Sequence, residues 1–363
     1  MSDGEASPAP TEPASGHISG VIEYSRLFGS WLAVEKLVVA MACSNGLALL
    51  GCDERGNPSI HCLHGEALSS IASAPDGTLW AASYHSLEKF ENITRTAGYR
   101  SGQKDLYMQR LRIFTSALGI SDAVVDGFGS LLFASMDYSV IGRACIEASM
   151  EPVWRPPYVS ASLPDCRCGI SGVGLYDGPR HCASSFARSD TAHGWKENFC
   201  DSGLIITLDR GEILAEGLCL PMSPRWANES LYVLNSGTAE FGLIDPTTKT
   251  FRALCQCPGF PTGMALHGSW AAISISSQPP KVIAGLDLPA GEMFQERGIQ
   301  PSSGILLVDV RTGDIAHNAI FEDPSRQIAG VALIRGCREA ALLGAKDPKT
   351  DPLITVKPPK AAA

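Results

Sequence analysis

The chain has 363 residues, of which 45% are apolar and 18% charged, and a formal net charge of −9. That is enough chain and enough apolar side chain for one large all-β domain or two average ones, and too much for a disordered polymer. The acidic balance argues against nucleic acid and anionic membrane as partners, since both need a basic face. No apolar run reaches the ~18 residues of a membrane span.

Residues 1–16, MSDGEASPAPTEPASG, are acidic and rich in Pro, Ser and Ala. They lack the basic start and apolar core of a signal peptide, so a solvated N-terminal arm and a cytoplasmic, reducing location are expected. Under those conditions the twelve cysteines, scattered and mostly inside apolar runs, are expected as buried thiols rather than a disulfide frame.

From Val38 onward one pattern recurs: a small or polar start, alternating apolar residues, a turn with Gly or Asn, and a second β-rich run. A weak copy spans Val38–Gly51. Clear copies follow at Ile71–Ser83, Asp122–Ser135, Ser171–Ser185, Ser223–Ser236, Gly263–Ser276 and Gly330–Gly344. Their turn residues Gly77, Gly127, Gly178, Asn228, Gly268 and Gly336 are spaced by 50, 51, 50, 40 and 68 residues. A period of ~40–50 residues with several strands per unit predicts a β-propeller of four-stranded antiparallel blades over 17–345. Seven blades are favoured; six result if the weak first copy completes the last blade. The long last spacing holds an insertion over 279–303. Lys104–Leu118 is the best helix candidate. Closure needs a strand that joins first blade to last, and VIEYSRL near Val21 or PLITVKP in the 346–363 tail could supply it.

Other words along the chain are weaker. His61 and the Cys62/His64 pair fall on opposite faces of a strand and supply too few ligands for a metal site. Asn92-Ile93-Thr94 is a glycosylation sequon only in a secreted protein. Cys166/Cys168 and Cys255/Cys257 lie in different blades and are expected to stay as thiols. GISGVG at Gly169–Gly174 has no following helix and so is no phosphate loop. Asp190 and His193, in a loop between blades, are candidate ligand contacts. Arg225, in the word Ser-Pro-Arg-Trp, either pairs with an acidic residue between blades or aims its guanidinium at an anionic ligand.

The words VWRPPYVSAS, DCRCGISGVGLYDG, PMSPRWANESLYVLNSGTAEFGLIDPTT, CPGFPTGMAL and GILLVDVRTGDIAH, in this order within a match over most of Ser25–Gly344, resemble the DUF4915 family, whose function is unknown and whose fold is propeller-like. The resemblance implies histidines at several innermost-strand starts, where neutral imidazoles could ligate a metal. This chain departs from that pattern at Met222, Gly169 and Ser121. It carries Thr262 where the family tends to have Arg, and Gln327 in place of an acidic residue. Such a ring cannot hold Zn, Mn or Fe, so neither metal nor cofactor is expected. Ser121, Asp122, Met222, Arg225, Thr262, Gln327, Asp190 and His193 are the expected ligand-binding set, for a small molecule or peptide at the channel mouth. The alternatives are a hydrolase, lyase or oxidoreductase acting in the same pocket through Arg225, Asp190, His193 and Asp122, and a protein-interaction platform using the 279–303 insertion. No particular protein partner is indicated.

Overall fold

The computed structural model describes residues 22–96, 104–177, 180–323 and 326–344. Six antiparallel blades account for its strands. Blade 1 takes its innermost strand, Ile328–Arg335, from late in the chain, followed outward by Leu37–Cys43, Gly46–Cys52 and Pro58–His64. Blade 2 runs Leu68–Ser73, Leu79–Ser83, Ser86–Asn92 and Asp105–Phe114. Blade 3 runs Ile120–Val125, Leu131–Ser135, Val140–Arg143 and Glu151–Trp154. Blade 4 runs Ile170–Tyr176, Arg180–Ser185, Gly203–Thr207 and Ile213–Leu218. Blade 5 runs Pro221–Ala227, Ser230–Asn235, Glu240–Ile244 and Phe251–Gln256. Blade 6 runs Phe260–His267, Trp270–Ser276, Ser303–Asp309 and Ile315–Phe321. Each innermost strand packs against that of the next blade, and Ile328–Arg335 closes the ring by touching both Phe260–His267 and Leu68–Ser73.

The count is therefore six, and the favoured seven is corrected by strand pairing. The weak copy at Val38–Gly51 forms the second and third strands of blade 1, and the last copy supplies its missing first strand through the register Leu37↔Arg335 to Cys43↔Ile328. Two apparent repeats thus fill one sheet. The second half of the last copy, Ala340–Leu343, leaves blade 1 and pairs in parallel with the outer strand of blade 2. The strand Ile22–Tyr24 adds to the outer edge of blade 6, while the arm at 1–16 and the tail at 346–363 lie outside the described residues.

Lys104–Leu118 is not a helix. Asp105–Phe114 is the outer strand of blade 2, paired on one edge with Ser86–Asn92 and on the other with Ala340–Leu343. Pairing on two edges overrides the local helical preference. In blade 3 the left-handed turn residue is Gly129, at φ 81°, rather than Gly127. The 279–303 insertion joins the second and third strands of blade 6 and carries a short helix, Pro289–Glu296, with Phe294 against Phe260 at 5.3 Å between ring centroids.

Stacking explains the composition of the strands. The second and third strands of blade 1, Leu37–Cys43 and Gly46–Cys52, are buried along their whole length, whereas the outer Pro58–His64 is mostly half-buried. Inner and middle strands are sandwiched between neighbouring blades and read as continuous apolar runs. The apolar side chains accordingly gather into one cluster at each of the six blade boundaries. Near the hub even a methyl group is too large. A Cβ on Gly174 would lie 2.0 Å from the Pro224 carbonyl oxygen, and one on Gly172 would lie 2.8 Å from the Ser223 nitrogen. The glycine-rich word GISGVG is thus the contact between blades 4 and 5.

Gly174→Val should destabilise the protein by about 1–3 kcal/mol or more through overpacking. Gly127→Ala, where a Cβ meets nothing within 4 Å, should stay within about 0.5 kcal/mol. Urea unfolding of the two variants checks the contrast.

Candidate functional site at the channel mouth

Every innermost strand starts on the same face of the ring, and the second strand of each blade returns to it. Innermost-strand starts and the connections between second and third strands therefore share one end of the channel. A cavity of about 460 Å³ lies there, lined from blade 1 (Ser44, Gln327, Ile328), blade 2 (Leu68, Ser69, Tyr84), blade 3 (Ile120, Ser121, Met136, Asp137), blade 5 (Met222) and blade 6 (Thr262, Lys281, Val282). Four of the expected ligand contacts, Ser121, Met222, Thr262 and Gln327, converge on this single cavity.

The same local irregularity shapes all six strand starts. Register shifts skip Ser69, Ser121, Ser171, Thr262 and Ala329, and in blade 5 two residues, Ser223 and Pro224, oppose Val233 alone. Each is a β-bulge that re-aims the strand start toward the axis. Several of the freed hydroxyls join one blade to the next. Ser121 Oγ donates to the Ile170 carbonyl at 3.2 Å, Ser171 Oγ to the Pro221 carbonyl at 2.5 Å, and Thr262 Oγ1 to the Ile328 carbonyl at 2.6 Å. Ser236 Oγ donates to the Pro261 carbonyl at 2.9 Å, which completes the link from blade 5 to blade 6. Ser121 and Thr262 therefore line the cavity while their hydroxyl protons hold the ring together.

Arg225 and Asp122 lie further along the same strands and bind each other. Arg225 Nη2 and Nη1 donate to Asp122 Oδ1 and Oδ2 at 2.7 and 2.9 Å. Nη1 also reaches the Val173 carbonyl at 2.9 Å, and Nε donates to the Met264 carbonyl at 3.1 Å. Asp122 in turn accepts from the Ala123 and Val173 amides at 3.0 and 3.2 Å. The side chains are 16% and 6% exposed, respectively. One guanidinium thus touches blades 3, 4 and 6 from blade 5, using the bidentate fork that makes arginine suited to buried carboxylates. Of the two readings open for Arg225 from sequence, this geometry is that of a pin across the hub. Its neighbour Trp226 turns away and meets Tyr176 edge-on at 4.9 Å.

Asp190 and His193 belong to the corresponding connection of blade 4 but do not line the cavity. Asp190 Oδ1 accepts from the Ser160 amide and from Arg167 Nη1, both at 2.8 Å. These bonds hold its carboxyl down at about 2. His193 is exposed, in the left-handed region at φ 53°. Gly169, also at positive φ, packs against the Phe186 ring, which leaves no space for a Cβ.

The acidic group that does reach the cavity is Asp137, which the sequence reading did not single out. It sits in the turn after Leu131–Ser135, and its carboxylate lies against Gly119, where a Cβ would approach the carboxyl carbon to 2.4 Å. Burial raises its pKa above the ordinary 3.8, opposed by the charge of nearby His193. No donor among the described residues hydrogen-bonds this carboxylate. The signal that could have found it is positional: it lies in a connection between second and third strands, which must face the mouth once the innermost strands are assigned.

Among the described residues no group of three or more His, Cys, Asp and Glu side chains is placed to hold a metal. His61 Nδ1 accepts from the Leu342 amide at 3.1 Å, anchoring the crossing strand. Asn92 is buried and donates to Asp105 at 2.8 Å. None of the twelve cysteines forms a disulfide, and all but Cys145 and Cys200 are buried. No helix among the described residues is long and apolar enough to cross a membrane.

The family model described as "Domain of unknown function (DUF4915)" matches residues 26–343. The chain belongs to the DUF4915 family. No curated protein matches this DUF4915 chain. Among solved structures, it is similar to a chain of a nidogen/laminin complex, at a TM-score of 0.54 and 11% identity, covering 83% of this chain and 99% of that one. It is equally similar to a protein of unknown function from Bacteroides caccae, at a TM-score of 0.53 and 13% identity over 83% and 100% of the two chains. At these identities the likeness is one of fold alone.

Two outcomes are expected of this DUF4915 site. Arg225→Met, which strands a buried carboxylate, should cost about 3–5 kcal/mol. Adding Asp122→Asn should cost far less than the sum of the single changes, with a coupling of about 1–3 kcal/mol in a double-mutant cycle by urea unfolding. For Asp137, the folded state binds the proton more tightly than the unfolded state, so stability falls as pH rises from 3.8 through its raised value. Asp137→Asn should remove that decline and stabilise the protein at neutral pH, as read from melting temperatures across pH 3–8.

Proposed function

We propose that this protein is a non-catalytic, six-bladed binding protein that holds a small amphipathic molecule, or the end of a short peptide, in the channel-mouth cavity. The observation that carries the reading is the cavity itself: about 460 Å³, within the range of small-ligand sites. It combines an apolar wall of Leu68, Ile120, Met136, Met222 and Ile328 with a few polar groups. Methionine side chains adapt to varied apolar shapes, and the bulged strand starts give the site a stiff frame. Beneath it, the Arg225–Asp122 pair satisfies its own charges and leaves neither group for a ligand. A cytoplasmic setting is consistent with twelve cysteines that form no disulfide.

A half-buried carboxyl with a raised pKa in a cleft also favours a second reading, an enzyme with Asp137 as general acid or base. Turnover lost in Asp137→Asn while ligand affinity is retained would distinguish it from the first.

Ligand-observed NMR with indole and 2-phenylethylamine tests the binding reading. At about 0.3–0.4 kcal/mol per heavy atom, fragments of this size should bind in the millimolar range. Met222→Trp, which fills the cavity with a ring, should abolish the signal without lowering the melting temperature. Equal binding to wild type and Met222→Trp would place the fragments elsewhere and remove the basis of the reading.

A further inference from the structure

The cavity holds two charged side chains, and they come from opposite sides of the ring. Asp137 belongs to blade 3 and Lys281 to the insertion of blade 6, three blades apart in a ring of six. The charge of exposed His193 acts on Asp137 without forming an ion pair with it. Among the described residues, Asp137 makes no hydrogen bond or ion pair, and Lys281 Nζ makes none. Other charges nearby are paired: Asp122 in the hub with Arg225, and Asp190 in the exposed loop of blade 4 with Arg167.

The backbone of Asp137 is held in place, and its carboxylate rests against Gly119. Gly119, at φ 59°, lets the carboxylate lie on its backbone, and a Cβ there would come within 2.7 Å of both oxygens. The Asp137 carbonyl accepts from the Cys166 amide at 2.8 Å, and the preceding Met136 amide donates to the Gly119 carbonyl at 2.9 Å. Lys281 starts a short 3₁₀ turn whose Ile283 is buried in the boundary of blades 5 and 6. The same cavity wall carries Met136, Met222, Val282 and the apolar strand starts.

An unpaired carboxylate partly withdrawn from water is unfavourable unless a cation completes it. Resting on the binding reading above, we infer that the ligand is dipolar: an ammonium group meets Asp137, a carboxylate meets Lys281, and an apolar body spans the methionines. Zwitterionic amino acids and short apolar peptides with free ends are the class that carries these features. A purely anionic ligand would be repelled by Asp137, and a purely cationic one by Lys281.

The test uses leucyl-leucine, its N-acetyl derivative, which lacks the ammonium, and leucyl-leucinamide, which lacks the carboxylate. Binding is read by calorimetry on the full chain, with the location read from the methyl resonances of Met136 and Met222. The zwitterion should bind about tenfold tighter than either blocked form, one charge-assisted contact apiece. Asp137→Asn should erase the preference over the N-acetyl form and keep the preference over the amide. Lys281→Gln should do the reverse. Melting curves of both variants establish that they fold. Equal binding of all three peptides, with the methionine shifts present, overturns the charge assignment and leaves the pocket reading standing. No binding of the peptides while indole still shifts Met222 also overturns it. Silence of every probe at Met136 and Met222 overturns both.

Discussion

Six innermost strands must converge on one axis, and that crowding governs the rest of the molecule. Where backbones of adjacent blades touch, side chains must vanish or become useful. Gly172 and Gly174 are the first solution, admitting the Ser223–Pro224 backbone into blade 4. The bulged Ser121, Ser171 and Thr262, with Ser236 in a neighbouring turn, are the second. Their short hydroxyls turn an otherwise repulsive approach of strand starts into a chain of hydrogen bonds from blade 3 through blades 4 and 5 and from blade 6 to blade 1. Arg225 is the third. It fills the hub with a planar group whose donors are taken by Asp122 and by the Val173, Pro224 and Met264 carbonyls.

Such a hub separates structural polarity from functional polarity. A charge fully satisfied inside the protein cannot recognise anything without first breaking its own bonds. Arg225 and Asp122 fall in that group, although residue type and location alone make them attractive ligand contacts. Asp137 and Lys281 fall in the other. They stand at the same mouth, on connections rather than on strands, and among the described residues neither forms an ion pair. The loops carry the unspent recognition groups because the strands have to satisfy one another.

The closing strand has a related effect. Ile328–Arg335 enters blade 1 as its innermost strand, so residues nearly three hundred positions apart in the chain share a sheet. This brings Gln327 and Ile328 beside Ser44 at the cavity, and it makes the mouth depend on ring closure. Loss of that strand would remove one wall of the site together with the core of blade 1.

The propeller itself was legible in the sequence, because each hairpin repeats its alternation and its turn chemistry locally, and local signals survive without knowledge of the partner strand. The position of Ser121, Met222, Thr262 and Gln327 at strand starts was legible for the same reason: a periodic fold maps equivalent sequence positions to equivalent places. The blade number was not, since whether the first and last copies make two sheets or one depends on which backbone edges meet. Nor was the strand at Asp105–Phe114, whose form is imposed by pairing on both edges. The Arg225–Asp122 pair joins residues 103 positions apart, and only the assembled hub shows that each is the other's counter-ion. Asp137 is the converse case. Nothing in SMDYS marks it, and it becomes a candidate only when Gly119 is seen to lie against its carboxylate and no described residue forms an ion pair or hydrogen bond with it. Periodicity is a property of the chain, whereas charge satisfaction is a property of the space between blades.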